Sequence, residues 1–114
     1  MNYKNIYLWV DGKGWTLFKN PSEQDFRERK IKIGEGAKIG FDVKIGNNAY
    51  IGNDVEIGHN TKIGNNAMIG DSVIIGNYAV IWDGVKIKDK QIVNPQETVL
   101  ESNDIISKID KLIK

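Results

Sequence analysis

The sequence predicts an all-β fold: a short parallel β-helix of about three coils. Three observations carry that reading. An isoleucine falls every six residues from Ile33 to Ile87, and Val93 takes the next place. Ala, Val or Thr stands two residues before most of them, as Ala37 stands before Ile39 and Thr61 before Ile63. Asn, Asp, Gly and Ser crowd the positions between. A fixed period of six is the mark of a parallel β-helix, in which three short edges close a coil of about eighteen residues.

The physics of one hexad is simple. Ala37, Lys38 and Ile39 alternate in, out, in, as side chains on a strand must. Gly40, Phe41 and Asp42 then turn a corner, where Gly and Asn tolerate the positive φ that corners often demand. In rows of eighteen, the inward residues form three ladders: Ile33, Ile51, Ile69 and Ile87; Ile39, Ile57, Ile75 and Val93; and Ile45, Ile63 and Ile81. The outward columns hold Lys32, Tyr50, Met68 and Lys86; Lys38, Glu56, Ile74 and Ile92; and Lys44, Lys62 and Val80. The row of Met68, Ile74 and Val80 is apolar on all three faces, so another subunit or the C-terminal tail is expected to cover it.

Residues 1–30 lie before the repeat. The runs Ile6–Val10 and Trp15–Phe18 flank Asp11-Gly12-Lys13-Gly14 and predict a β-hairpin. A lone hairpin is marginal, so it is expected over the first coil, covering an open edge. Its role is that of a cap or of a substrate-binding arm. Asn20-Pro21-Ser22-Glu23 reads as a turn or helix start, with one or two helical turns over 24–30. Residues 31–93 are the repeat. In residues 94–114, Asn94-Pro95 ends the regular pattern, and Glu97–Leu100 offers a last strand. Ser102, Asn103 or Asp104 is a helix N-cap. Ile105, Ile106, Ile109, Leu112 and Ile113 then recur at helical spacing. That C-terminal α-helix is too short to stand alone; it docks on its own β-helix or bundles with symmetry mates.

Composition narrows the function classes. The 114 residues suit one domain or one subunit of an oligomer. The net charge of +1 gives no reason to expect a nucleic-acid or membrane partner. No cysteine is present, which rules out thiolate chemistry and disulfides. The N-terminus holds no apolar run long enough for a signal or a span. A cytoplasmic protein is expected.

The phrases IGEGAK, IGFDVK, IGNNAY, IGNDVE, IGHNTK, IGNNAM, IGDSVI and IGNYAV closely resemble the repeats of the hexapeptide-repeat acyltransferase superfamily. The likeness covers a little over half the chain. It implies a left-handed coil, against the usual right-handed rule for parallel crossovers. It also implies a homotrimer, with substrates held in grooves between subunits.

His59 is the one histidine. It stands at a corner in Ile57-Gly58-His59-Asn60, with Phe41 and Asn77 in the same column and Asn60 and Tyr78 beside them. The coil predicts that these five residues cluster. The resemblance is strongest here to sugar N-acyltransferases, and it implies His59 as general base for transfer of an acetyl group from acetyl-CoA. The acceptor would be an amino or hydroxyl group of a sugar or similar small molecule. An imidazole suits such a base. The resemblance also gives Asn77 the position of the backbone N–H that receives the oxyanion, although relatives usually carry Gly there. A histidine is equally an acceptable corner residue with no chemistry.

Trp82 occupies a place that most hexads give to Gly. Ile81-Trp82-Asp83-Gly84-Val85 resembles a segment of nucleotide-sugar 3-amino N-acetyltransferases, and Trp82 is either a packing residue or a coenzyme contact. Lys44 and Lys62 share an outward column and are either coenzyme phosphate ligands or solvated lysines. The γ-class carbonic anhydrases share the expected fold, but their zinc needs three histidines, so no metal is expected. Two functions follow: an acyltransferase centred on His59, or a non-catalytic trimeric β-helix that serves as scaffold or binding module.

Overall fold

The computed structural model describes residues 3–102. In chain order the elements are β1 (Ile6–Val10), β2 (Gly14–Phe18), α1 (Glu23–Glu28), β3 (Lys32–Ile33), β4 (Lys38–Ile39), β5 (Val43–Ile45), β6 (Tyr50–Ile51), β7 (Glu56–Ile57) and β8 (Lys62–Ile63). There follow β9 (Met68–Ile69), β10 (Ile74–Ile75), β11 (Val80–Ile81), β12 (Lys86–Ile87), β13 (Ile92–Val93) and β14 (Thr98–Val99). The amphipathic helix expected over Ile105–Ile113 lies outside the described residues.

Every third strand stacks. The first sheet runs β3-β6-β9-β12, the second β4-β7-β10-β13, and the third β5-β8-β11-β14 with β1 and β2 added at one end. All pairings within the coils are parallel and in an eighteen-residue register, such as Ile39 with Ile57 and Ile51 with Ile69. The chain therefore makes four coils rather than three. Pro95 does not end the pattern: a corner needs no N–H from that residue, and Val99 drops in fully buried on the third ladder beyond Ile81.

The three ladders are the core. Ile45, Ile51, Ile63, Ile69 and Ile81 are completely buried, and so are Val55, Ala67, Val73 and Ala79 at the small-residue positions. Thr61 takes one such position and is also buried; its hydroxyl donates to the Gly76 carbonyl at 3.0 Å, so no polar group is stranded. Coil holds coil through backbone bonds such as Lys38 N–H to the Val55 carbonyl and Gly40 N–H to the Ile57 carbonyl, both 2.8 Å.

The corners obey two rules, and only one was expected. The second corner residue takes the left-handed conformation, as at Asp42, Asn60 and Asn66, with φ between 58 and 61°. The recurring glycine precedes it and has an ordinary φ. Its reason is space: a Cβ on Gly40 would lie 2.8 Å from the His59 backbone nitrogen. The glycines mark where one coil sits directly on the next.

The N-terminal segment imitates a coil before the first. The Asp42 N–H donates to the Asn5 carbonyl, β1 pairs with β5, and the Asn48 N–H donates to the Arg29 carbonyl. Ile6 and Leu8 are fully buried over Val43 and Ile45, so the hairpin covers the open end of the third sheet. Helix α1 begins at Ser22, whose hydroxyl accepts the Asp25 N–H while the Asp25 carboxylate accepts the Ser22 N–H. It buries Phe26 against the core, edge-on to Tyr3. The imitation leaves one defect. Asn47 Oδ1 is buried without a donor among the described residues. One coil earlier stands Arg29, whose N–H instead closes α1 onto the Phe26 carbonyl. Among the described residues no helix is long and apolar enough to cross a membrane.

Candidate functional site

The corner between the second and third sheets is a column of Phe41, His59, Asn77 and Pro95. A single rule runs along every corner. The backbone N–H of one residue donates to the side chain one coil on: Glu35 to Asn53, Asn47 to Asn65, Asn53 to Asp71, Asn65 to Asp83, all at 2.8–2.9 Å. His59 follows the same rule. Its Nδ1 accepts the Phe41 N–H at 2.8 Å, and its own N–H donates to Asn77 Oδ1 at 2.7 Å. The imidazole ring lies on the Phe41 ring, with centroids 4.8 Å apart and planes 21° from parallel.

That bond has a chemical consequence. A neutral imidazole that accepts at Nδ1 carries its hydrogen on Nε2. The exposed nitrogen is then a donor. A base needs the reverse tautomer, in which Nδ1–H would face the Phe41 N–H.

The column stops at Pro95. Asn77 N–H should donate to the residue one coil on, but Pro95 has no acceptor side chain, and its ring packs over Gly76. Among the described residues Asn77 N–H has no acceptor. This donor is left open where its neighbours in the column are filled.

The five residues expected to cluster do so. Asn60 N–H donates to the Phe41 carbonyl and Tyr78 N–H to the His59 carbonyl, both at 2.9 Å. Tyr78 holds a φ of 62°, which is costly for a bulky side chain, and its ring is 59% exposed. Lys4 joins the cluster with Nζ 4.1 Å from the Phe41 ring centre. Lys4 was not legible as a site residue, because the hairpin's placement brings it there. The eighteen-residue spacing from Asn77 carried the signal for Pro95, but its reading as the end of the pattern hid it. A hollow of about 390 Å³ runs beside this corner, walled by Lys4, Lys38, Glu56, Gly58, Asn77 and Pro95. His59 is not among its walls.

The other candidates stand elsewhere. Lys44 and Lys62 pair side by side on the outer face of the third sheet. Their ammonium groups lie 5.9 Å from the rings of Tyr7 and Trp15. Trp82 sits at the next corner, with Gly64 and Asp83, and is 54% exposed. None of these three lines the hollow beside the His59 corner.

Comparison with known proteins adds the family. The profile described as "Bacterial transferase hexapeptide (six repeats)" matches residues 30–61 and 54–89, more than half of the chain. No curated protein matches the chain. Among solved structures, the chain is similar to serine acetyltransferase isoform 3 from Entamoeba histolytica, crystallised in complex with cysteine. The likeness has 21% identity and a TM-score of 0.28, and covers 81% of this chain. The chain spans only 45% of that protein. With its unbroken hexads and its stacked parallel coils, the chain belongs to the bacterial transferase hexapeptide family.

Proposed function

We propose that the chain is a subunit of a trimeric acyltransferase that moves an acetyl group from CoA to an amino or hydroxyl group of a small acceptor such as a sugar. The observation that carries this reading is the open Asn77 N–H beside the one histidine of a transferase-family coil. In the reaction the acceptor's lone pair attacks the thioester carbon and the carbonyl pair moves onto oxygen. Asn77 N–H receives that oxyanion. The C–S bond then breaks, and CoA leaves as a thiol with the proton that His59 took from the acceptor. Asn60, Tyr78 and Phe41 line the approach. Lys4 and Lys38, at the hollow beside Asn77, suit the coenzyme phosphates better than Lys44 and Lys62.

The base role makes one demand. His59 must turn its ring and release the Phe41 N–H. The corner is exposed, so water takes that N–H, and the exchange costs about 1 kcal/mol, roughly fivefold in population. That is small against the barrier an enzyme lowers.

A second reading is a non-catalytic trimeric scaffold or binding module. The observation favouring it is that His59 Nδ1 does the work that Asn and Asp oxygens do at the sister corners. One experiment separates the two. Acetyl-CoA binding is followed by calorimetry, and acetyl transfer to a panel of amino sugars is assayed for the wild type, His59→Ala and His59→Asn. Binding and turnover that both variants lose support the enzyme. No acetyl-CoA binding at millimolar levels, or full turnover in His59→Asn, overturns the assignment.

A further inference from the structure

A second hollow lies away from the His59 corner. It has a volume of about 840 Å³ and opens between α1 and the outer face of the first sheet. Its existence follows from the N-terminal segment. Helix α1 buries Phe26, and Ile31 is buried with it, but Ile33 is left only half-covered at the end of the first sheet. Tyr50, 44% exposed, extends the same apolar floor one coil on, and Met68, 45% exposed, two coils on.

Around this floor stand three cations. Arg27 comes from the last turn of α1, Lys30 from the residues after it and Lys32 from β3. None of them pairs with a carboxylate among the described residues. One acid, Glu23, sits on the wall, beside Tyr3. Burial first and the nearby Glu23 second push the Tyr3 phenol above its ordinary range. Lysine and arginine stems lie along apolar surface with the charged head at its edge. Here three unpaired cations rim a preformed apolar hollow of the size that holds small ligands.

We infer that this cleft binds a small amphiphilic anion: one acidic head group held by Arg27, Lys30 and Lys32, and a hydrocarbon tail on Ile33, Tyr50 and Met68. The head must be anionic because the rim carries three positive charges to one negative. The tail must be apolar because the uncharged part of the floor is made of Ile33, Tyr50 and Met68 surfaces. The site does not depend on acetyl transfer at the His59 corner.

Calorimetry with the whole chain tests this, using decanoate, decanol and decyltrimethylammonium below their micelle concentrations. Decanoate should bind once per chain and at least about tenfold more tightly than decanol, and the cation should not bind. Lys32→Gln and Arg27→Gln should each weaken decanoate about tenfold while leaving decanol unchanged. Lys86→Gln is the control, since Lys86 shares the column of Lys32 but lies outside the cleft. Absence of decanoate binding, as when a second copy fills the cleft, overturns the inference. So does equal binding of decanoate and decanol, or an equal loss in the Lys86 variant.

Discussion

Pro95 stands one coil after Asn77 and leaves its backbone N–H without an acceptor among the described residues. One step earlier in the same column, His59 N–H is held by Asn77 Oδ1 at 2.7 Å. Two amides in equivalent places therefore differ in one bond. Amide hydrogen exchange should show Asn77 exchanging faster than His59 by at least about tenfold. Pro95→Asn supplies the missing acceptor and should slow Asn77 toward the rate of His59. It should also abolish acetyl transfer, because the oxyanion donor is then occupied.

His59 has a stability role separable from any chemistry. Replacing it by Asn keeps an acceptor for the Phe41 N–H and should change unfolding free energy by less than about 0.5 kcal/mol. Replacing it by Ala removes that acceptor and the ring contact with Phe41, and should cost about 1–2 kcal/mol. Urea unfolding of the three proteins gives the comparison directly.

Asn47 and Asn65 make a second matched pair. Asn65 Oδ1 accepts the Asn47 N–H at 2.9 Å, whereas Asn47 Oδ1 has no donor among the described residues. Asn65→Ala should destabilise the fold by about 1 kcal/mol. Asn47→Ala should change it by less than half of that, since it also removes a stranded polar atom.

Glycines at the two corner positions should respond differently. A Cβ at Gly40 meets His59 and Gly58 backbone atoms at 2.8 and 3.0 Å, and backbone cannot step aside. Gly40→Ala should cost about 3 kcal/mol in thermal or urea unfolding. Gly84 has a φ of 72° and nothing near its Cβ position. Gly84→Asn should be neutral within about 0.5 kcal/mol, because Asn accepts that conformation.

The periodic part of this protein is legible from its residues, for a physical reason. Burial of one Ile per edge sets both the strand direction and the stacking register, so writing the chain in rows of eighteen places Phe41, His59 and Asn77 together. The extent of the coil was less legible. Pro95 looks like a terminator because it cannot donate, yet its corner place needs no donor, and Val99 is buried beyond it. The glycine's role was read as conformational freedom; close approach of successive coils is invisible until the coils are stacked. The orientation of the His59 ring belongs to the same class. Its place in the hexad matches Asn53, Asn65 and Asp71, and all four side chains present an acceptor that reaches the coil before. The cleft under α1 was not legible at all, because it depends on how a six-residue helix leans on a sheet.

The most direct test is the tautomer of the His59 imidazole, read from its two ring nitrogen-15 shifts and their couplings to the ring protons in the free protein at neutral pH. The stacked-corner geometry predicts hydrogen on Nε2, an unprotonated Nδ1 and a Phe41 amide proton shifted as a hydrogen-bond donor. Hydrogen on Nδ1, with a freely exchanging Phe41 amide, would contradict it.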